Sequence, residues 1–126
     1  MLFSDSQAYS GFAVSDLGAA RAFYGEKLGL TVGDTPEGGL ELRLAGGATV
    51  LVYPKPAFVP ATYTILNFPV ADIEAAVDEL VAAGIEMQRY PGLDADERGI
   101  ARDPRGPAIA WFTDPAGNIL AVLQNG

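Results

Sequence analysis

The chain has 126 residues, 49% of them hydrophobic and 19% charged, which is the composition of one globular domain rather than of a disordered chain. Its net charge of −8 opposes binding to nucleic acid, whose phosphates require clustered Lys and Arg. The absence of Cys and His excludes disulfides, thiolate chemistry and the commonest metal ligand. With no secretory signal and no run of about 18 apolar residues, we expect a soluble cytoplasmic protein that does not enter a membrane.

The first predicted elements are a strand and a helix. Residues 7–14 alternate between apolar and small or polar positions, which is typical of a strand, and Phe12 lies on its apolar face. Asp16 can then cap a helix over residues 17–28, which Gly29 ends.

The segment LTV after Gly29 is a short predicted strand, and two more strands follow the turn-rich segment DTPEGG. In the first of these two, leucines alternate with Glu41 and Arg43, and we expect these charged side chains to face solvent. Gly46 and Gly47 predict a hairpin into the second strand, ATVLVYP. The proline-rich stretch PKPAFVPAT then predicts a crossover over about residues 55–61, because proline cannot donate to a strand ladder.

The second half of the chain repeats this plan. A strand from residue 63 to residue 70 and a helix over residues 73–83 precede a short strand, IEMQRY. Residues 91–107 form a long polar loop that could act as a lid, and its Arg98 and Arg102 could bind an anionic ligand or pair with surface carboxylates. AIAWFT, the turn DPAGN and ILAVLQ predict a final hairpin.

The two halves are also related residue by residue. One alignment sets Phe12 on Phe68 and Asp16 on Asp72, so each half predicts the order βαβββ. Module one covers about residues 7–54 and module two about residues 62–124. A repeat of half the chain favours two copies of one unit that complete a core together.

These twin modules, with VSDLGAARAFYGEKLGL near the start and WFTDPAGNILAVLQ at the end, resemble the glyoxalase, bleomycin resistance protein and extradiol dioxygenase superfamily, the vicinal oxygen chelate fold. The resemblance covers nearly all of residues 1–126 as a single domain. It implies an α+β fold in which two tandem βαβββ modules form a cupped, eight-stranded mixed sheet with helices on the outer face. It also implies a ligand inside the cup.

Members of this family usually hold a divalent metal ion in the cup. The four positions that the resemblance assigns to metal ligands carry Tyr9, Leu51, Ile65 and Ala121. Three of these residues are aliphatic, and a lone phenol is a poor ligand. We therefore expect no metal and no other cofactor, which disfavours lyase, epimerase and dioxygenase activities that work through the ion.

Residues of the same strand parity should line the cup instead. Trp111 is a further candidate, as a wall of the cup or as a core residue. The expected ligand-binding residues are Tyr9, Leu51, Tyr53, Tyr63, Ile65, Asn67, Trp111, Ala121 and Leu123. This mostly apolar and aromatic set suits a small organic molecule, although the aromatic residues could equally be core.

Three functions remain open. The first is a metal-free protein that binds a small organic molecule, cationic or aromatic, and sequesters a drug or toxic metabolite, as the bleomycin-binding relatives do. The second is a metal-independent lyase or isomerase with a tyrosine or carboxylate base, but the expected lining contains no carboxylate. The third is an interaction subunit whose own side chains fill the cup, leaving no cavity above about 300 Å³. We also expect a homodimer, since a second chain would cover the half-wet apolar lining.

Overall fold

The computed structural model describes residues 2–125. They form two compact units, one ending at Phe58 and the other beginning at Val59. This boundary lies inside the crossover predicted over residues 55–61. Neither unit contains, among the described residues, a helix with the length and apolar content needed to cross a bilayer.

The first unit is built on a four-stranded sheet. Its strands are β1 (Ser10–Val14), β2 (Thr31–Asp34), β3 (Leu40–Arg43) and β4 (Thr49–Pro54). The strand order is β1-β4-β3-β2, with β1 parallel to β4 and the other pairs antiparallel. The predicted βαβββ order is therefore confirmed in this half.

The helix α1 (Leu17–Arg21) follows β1 and begins where the sequence predicts. The side chain of Asp16 caps it, because Asp16 Oδ1 accepts a hydrogen bond from the backbone N–H of Ala19 at 3.1 Å. Such a cap satisfies one of the orphan donors of the first turn and is worth about 1 kcal/mol.

The remainder of the predicted helix, Ala22–Lys27, has π geometry. The N–H of Leu28 donates to the carbonyl of Phe23, five residues earlier, at 3.0 Å. This wider turn accompanies the burial of two consecutive aromatic side chains, Phe23 and Tyr24, whose rings meet edge to face at 5.0 Å. The sequence predicts the helix here but not its π geometry.

The second unit contains β5 (Thr64–Pro69), α2 (Ile73–Ala82), β6 (Ala108–Thr113) and β7 (Ile119–Gln124). Its sheet has the order β5-β7-β6, with β5 parallel to β7. The helix packs on β6 and β7, and its buried residues Ile73, Val77 and Leu80 lie on one stripe, as helical spacing requires.

The internal repeat is confirmed by strand register. Phe12 lies opposite Val52 in the parallel pair of the first unit, and Phe68 lies opposite Val122 in the parallel pair of the second. The two phenylalanines therefore occupy equivalent places on the first strand of each module.

The eighth strand, expected over residues 85–90, does not form. Its one sheet contact is a bridge between Gln88 and Trp111 of β6, at the place that β2 holds in the first unit. The physical reason is that Ala101 occupies the same edge of β6, exchanging two backbone hydrogen bonds with Ile109. The described residues therefore form sheets of four and three strands.

The turn between β6 and β7 is fixed by two buried polar side chains. Asp114 is 4% exposed and Asn118 is 2% exposed. Asp114 accepts hydrogen bonds from the backbone N–H and side-chain amide of Asn118, at 2.9 and 3.1 Å. Asn118 Oδ1 accepts from the N–H of Ala61 at 3.2 Å, which ties the start of the second unit to this turn.

Candidate functional site

One row of residues crosses the open face of the first sheet. Gly11 of β1 lies opposite Leu51 of β4, Leu51 lies opposite Glu41 of β3, and Glu41 lies opposite Gly33 of β2. Directly opposed residues point to the same side of a sheet. The other side of the same strands carries the buried core residues, among them Leu42.

A cavity of about 460 Å³ lies over this row, within the first unit. It is lined by Tyr9, Thr35, Pro36, Glu37, Gly39, Glu41, Thr49, Leu51, Tyr53 and Pro54. Three of the predicted ligand-binding residues, Tyr9, Leu51 and Tyr53, therefore lie together. The volume is above the roughly 300 Å³ at the lower end of ordinary ligand sites.

The two tyrosines are open to solvent rather than part of the core. Tyr9 is 68% exposed and Tyr53 is 40% exposed, whereas Leu51 between them is half-buried. Their rings supply apolar area and their hydroxyls supply a polar group, as ligand-binding tyrosines commonly do.

Glu41 lies on the solvent-facing side of β3, as alternation with leucines predicts, and its side chain is 38% exposed. The same face carries Leu51 and the cavity, so Glu41 also lines that cavity, which alternation alone does not predict. The Glu41 carboxylate accepts a hydrogen bond from Arg43 Nε at 3.0 Å. The cavity lining thus contains a carboxylate that the expected set lacks, and the pairing of β3 with β4 across the Gly46-Gly47 hairpin is the signal that locates it.

The turn between β2 and β3 forms one rim of the cavity and carries Glu37. Thr35 holds the turn closed: its carbonyl accepts from the N–H of Gly38 at 3.1 Å, and its Oγ1 accepts from the N–H of Gly39 at 2.9 Å. A Cβ at residue 39 would lie 2.7 Å from the carbonyl oxygen of Val52, so only glycine fits there. Glu37 thus projects from a hydrogen-bonded turn.

A second row crosses the sheet of the second unit and carries three more predicted residues. Asn67 of β5 and Trp111 of β6 both lie opposite Ala121 of β7. Asn67 is exposed and Trp111 is half-buried, but Ala121 is 0% exposed. On this face Asn67 and Trp111 are therefore accessible to a ligand, whereas the buried Ala121 is not.

Trp111 is held in place by two neighbours in its own unit. Its Nε1 donates to Thr64 Oγ1 at 3.2 Å, and its ring meets the ring of Tyr90 edge to face at 5.7 Å. Partial burial raises the pKa of Tyr90 above its ordinary value, so this phenol stays neutral near pH 7.

The remaining predicted residues of the second unit differ in exposure. Tyr63, just before β5, is 70% exposed. Ile65 on β5 and Leu123 on β7 are half-buried. All three lie on the strands that carry the second row or directly beside them.

The side chains at the four family metal positions do not fit a metal ion. Leu51, Ile65 and Ala121 have no donor atom, and Tyr9 offers one exposed phenol. Within residues 2–125, no group of three or more metal-binding side chains is placed to hold an ion.

The polar loop over residues 91–107 is attached to α2 by two ion pairs. Arg98 Nε donates to Asp78 Oδ1 at 3.0 Å, and Arg102 Nη2 donates to Glu74 Oε2 at 3.2 Å. Asp78 and Glu74 lie four residues apart on the helix and so share one face. The two arginines thus pair with carboxylates, which was the second of the two interpretations open for them.

Asp96 organises the same loop. Its Oδ1 accepts hydrogen bonds from the N–H groups of Arg98, at 2.9 Å, and Ile100, at 3.0 Å. Partial burial raises the pKa of Asp96, but these two hydrogen bonds and the guanidinium groups of Arg102 and Arg98 outweigh it, so the pKa lies below its ordinary value.

Solved structures with the same fold are numerous. A glyoxalase family protein from Bacillus anthracis is 25% identical with a TM-score of 0.70, covering 94% of this chain and 95% of its own. TnmS3, an antibiotic binding protein from a Streptomyces species, is 22% identical with a TM-score of 0.70, covering 94% and 96%. The fosfomycin resistance protein FosX from Listeria monocytogenes is 14% identical with a TM-score of 0.72, covering 94% and 92%.

No curated protein matches the chain by sequence. The sequence model of the Glyoxalase/Bleomycin resistance protein/Dioxygenase superfamily, however, matches residues 7–122. That match includes the helices and strands of both units, apart from the last two residues of β7, and both rows of residues described above. The chain therefore belongs to the glyoxalase/bleomycin resistance protein/dioxygenase superfamily.

Proposed function

We propose that this protein binds a small organic molecule without a metal ion, on the open face of the first sheet. The observation that carries the proposal is the cavity of about 460 Å³ over the row of Leu51 and Glu41. Its lining combines exposed aromatic rings, an aliphatic floor and two carboxylates, Glu37 and Glu41. Such a lining suits a ligand with an aromatic or apolar body and a cationic group.

Apolar contact supplies most of the affinity in this proposal. Burial of a few hundred Å² of apolar surface, counted over the ligand and the lining residues together, is worth several kcal/mol at about 25 cal/mol per Å², before ordering costs are subtracted. The two carboxylates orient the ligand and favour a ligand that carries a positively charged group. The net charge of −8 acts in the same direction, because it raises the local concentration of cations.

We infer that the role of this binding is sequestration of a drug or toxic metabolite. The same fold serves an antibiotic binding protein, TnmS3, and a fosfomycin resistance protein, FosX. At identities of 22% and 14% these two proteins support the fold and not a particular ligand. Metal-free binding is supported by donor chemistry, since three of the four family metal positions here are aliphatic.

A thermal-shift screen tests the proposal. The panel contains cationic glycopeptides, aromatic antibiotics and acridine dyes, and a ligand of the native state raises the midpoint of unfolding. Leu51→Asp should abolish the shift, because it places a charge on the apolar floor. Val81→Asp on α2, whose side chain is 55% exposed, is the matched control and should leave the shift unchanged. A panel without a single stabilising compound, or a shift that survives Leu51→Asp, would contradict the proposal.

We also propose that the protein is a homodimer. Val59 is 79% exposed and Tyr63 is 70% exposed, close together in the chain at the start of the second unit, and a second copy would cover such apolar surface. Sedimentation equilibrium tests this, and a monomer at micromolar concentration would refute it.

A metal-independent lyase or isomerase is the second candidate function. Glu41 favours it, because a carboxylate on the cavity face can serve as a general base. Arg43 holds this carboxylate at 3.0 Å in the present arrangement, which suits binding better than proton abstraction. A turnover that Glu41→Gln removes while ligand affinity is retained would establish the enzymatic function instead.

A further inference from the structure

Arg43 stands at the edge of the proposed site. It lies two residues after Glu41 on β3, so both side chains project from the same face, and it lies opposite Thr49, which lines the cavity. Arg43 Nε and Glu41 Oε1 are 3.0 Å apart. The two side chains are 60% and 38% exposed, so the pair is not locked by burial.

Gly33 makes room for this guanidinium. Gly33 lies opposite Glu41 on the neighbouring strand, and a Cβ built on it would come within 3.2 Å of Arg43 Nη2. The Arg43 side chain therefore lies across the end of the row, over the glycine. A cation belonging to the protein itself thus occupies the place beside one of the two cavity carboxylates.

We propose that Arg43 is an internal competitor for the cationic group of the ligand, and so a determinant of specificity. This inference depends on the proposed function. A ligand with a positive group takes the Glu41 carboxylate, and Arg43 is released to solvent. A neutral ligand leaves the pair closed and gains nothing from Glu41.

The energetics allow such an exchange. An exposed ion pair contributes about 0 to 1 kcal/mol, so its opening costs little. The exchange nevertheless makes the binding free energy of every cation less favourable by the free energy of the Arg43–Glu41 ion pair. This corresponds to a roughly two- to fivefold loss of affinity. A cation whose affinity depends on Glu41 alone therefore loses much of its small gain, whereas a cation that also covers Leu51 and the tyrosines keeps the apolar part of its affinity.

A matched set of dyes tests this inference. 9-Aminoacridine, acridine and acridine-9-carboxylate share a three-ring body and are respectively cationic, neutral and anionic at pH 7.5. Dissociation constants are measured by fluorescence titration at fixed salt. Arg43→Gln should tighten binding of 9-aminoacridine about two- to fivefold and leave acridine unchanged. In a Glu41→Gln background, which itself weakens the cation, the effect of Arg43→Gln should vanish.

Arg105→Gln is the control for net charge. Arg105 makes the same kind of pair with a carboxylate two residues earlier, Asp103, at 3.5 Å, but it lies in the second unit and is 91% exposed. It should change no dissociation constant. The inference alone is overturned if Arg43→Gln and Arg105→Gln act equally, if acridine gains as much as 9-aminoacridine, or if the anion binds best and loses affinity in Arg43→Gln. Failure of all three dyes to bind the wild-type protein would overturn this inference, and failure of every compound in the thermal-shift panel as well would overturn the proposed function.

Discussion

Glu41 of β3 and Leu51 of β4 lie directly opposite each other, so a carboxylate and an aliphatic side chain share one open sheet face. The pairing places a charge beside the surface on which an apolar ligand would be buried. The strand β3, in which leucines alternate with charged residues, therefore contributes both to the core and to the cavity. Its leucines fill the core of the first unit while Glu41 faces the cavity.

The tyrosine hydroxyls should orient a polar ligand. Tyr53→Phe removes one hydroxyl at the cavity and should weaken such a ligand by about 0.5 to 1.5 kcal/mol, the net worth of one hydrogen bond. Tyr63→Phe, in the second unit, is the matched comparison and should leave the affinity unchanged. Isothermal titration calorimetry measures both. A loss of affinity in Tyr63→Phe, with none in Tyr53→Phe, would show that the ligand binds to the second unit and not to the first.

The buried turn at Asp114 should be far more important for stability than its exposed counterpart. Asp114 and Asp103 both begin Asp-Pro-x-Gly turns and both accept a hydrogen bond from the N–H two residues later, at 3.0 and 2.9 Å. Asp114 alone is buried and bonded to Asn118.

Asp114→Ala should therefore lower the free energy of unfolding by about 1 to 3 kcal/mol, because it leaves buried donors without acceptors. Asp103→Ala should cost about 0.5 kcal/mol or less. Urea denaturation compares the two variants. Equal losses would contradict the importance assigned to burial.

Asp96 should make stability depend on pH in acid. Its folded-state pKa is lower than its unfolded value, so the ionised carboxylate stabilises the fold above the unfolded pKa of about 3.9. This contribution is lost as the pH falls through the folded-state pKa. The difference in unfolding free energy between wild type and Asp96→Asn should thus shrink from about pH 6 to about pH 2. Asp94→Asn, at an exposed residue of the same loop, is the control. The prediction would be refuted if the difference in unfolding free energy between wild type and Asp96→Asn stayed constant with pH.

The protein should take up no metal stoichiometrically. Elemental analysis of untagged protein, followed by titration with nickel, zinc, iron and manganese, checks this prediction. The reason is the donor set at Tyr9, Leu51, Ile65 and Ala121, which offers a single oxygen. One tightly bound equivalent that is lost on chelation would contradict it, unless Asp94→Ala also removes it, which would locate a surface ion.

Local signals predicted the repeated elements well. Asp16 and Asp72 cap their helices through the N–H three residues later, and Gly29 and Gly84 follow the helices with positive φ angles of 75° and 86°. These features depend on residues within one or two turns of each other, which a single sequence displays.

Long-range competition was beyond such signals. The strand expected over residues 85–90 is limited to Gln88 because Ala101 pairs with Ile109 on the same edge of β6. Alternation predicts that Glu41 faces solvent, and the family resemblance places Leu51 in the site, but only strand register shows that the two residues share one face. In both cases the decisive contact joins two segments that are distant in sequence. Alternation within one segment does not show which segment pairs with it.

The most direct test of the account maps a ligand onto the backbone. In a ¹⁵N-resolved NMR titration with 9-aminoacridine, the amide signals of Glu41, Leu51 and Tyr53 should shift in a saturable way. Signals of Asp78 and Val81 on α2 should remain in place. Saturable shifts confined to the second unit, or the absence of saturable shifts with this dye and with every stabilising compound of the thermal screen, would contradict binding on the open face of the first sheet.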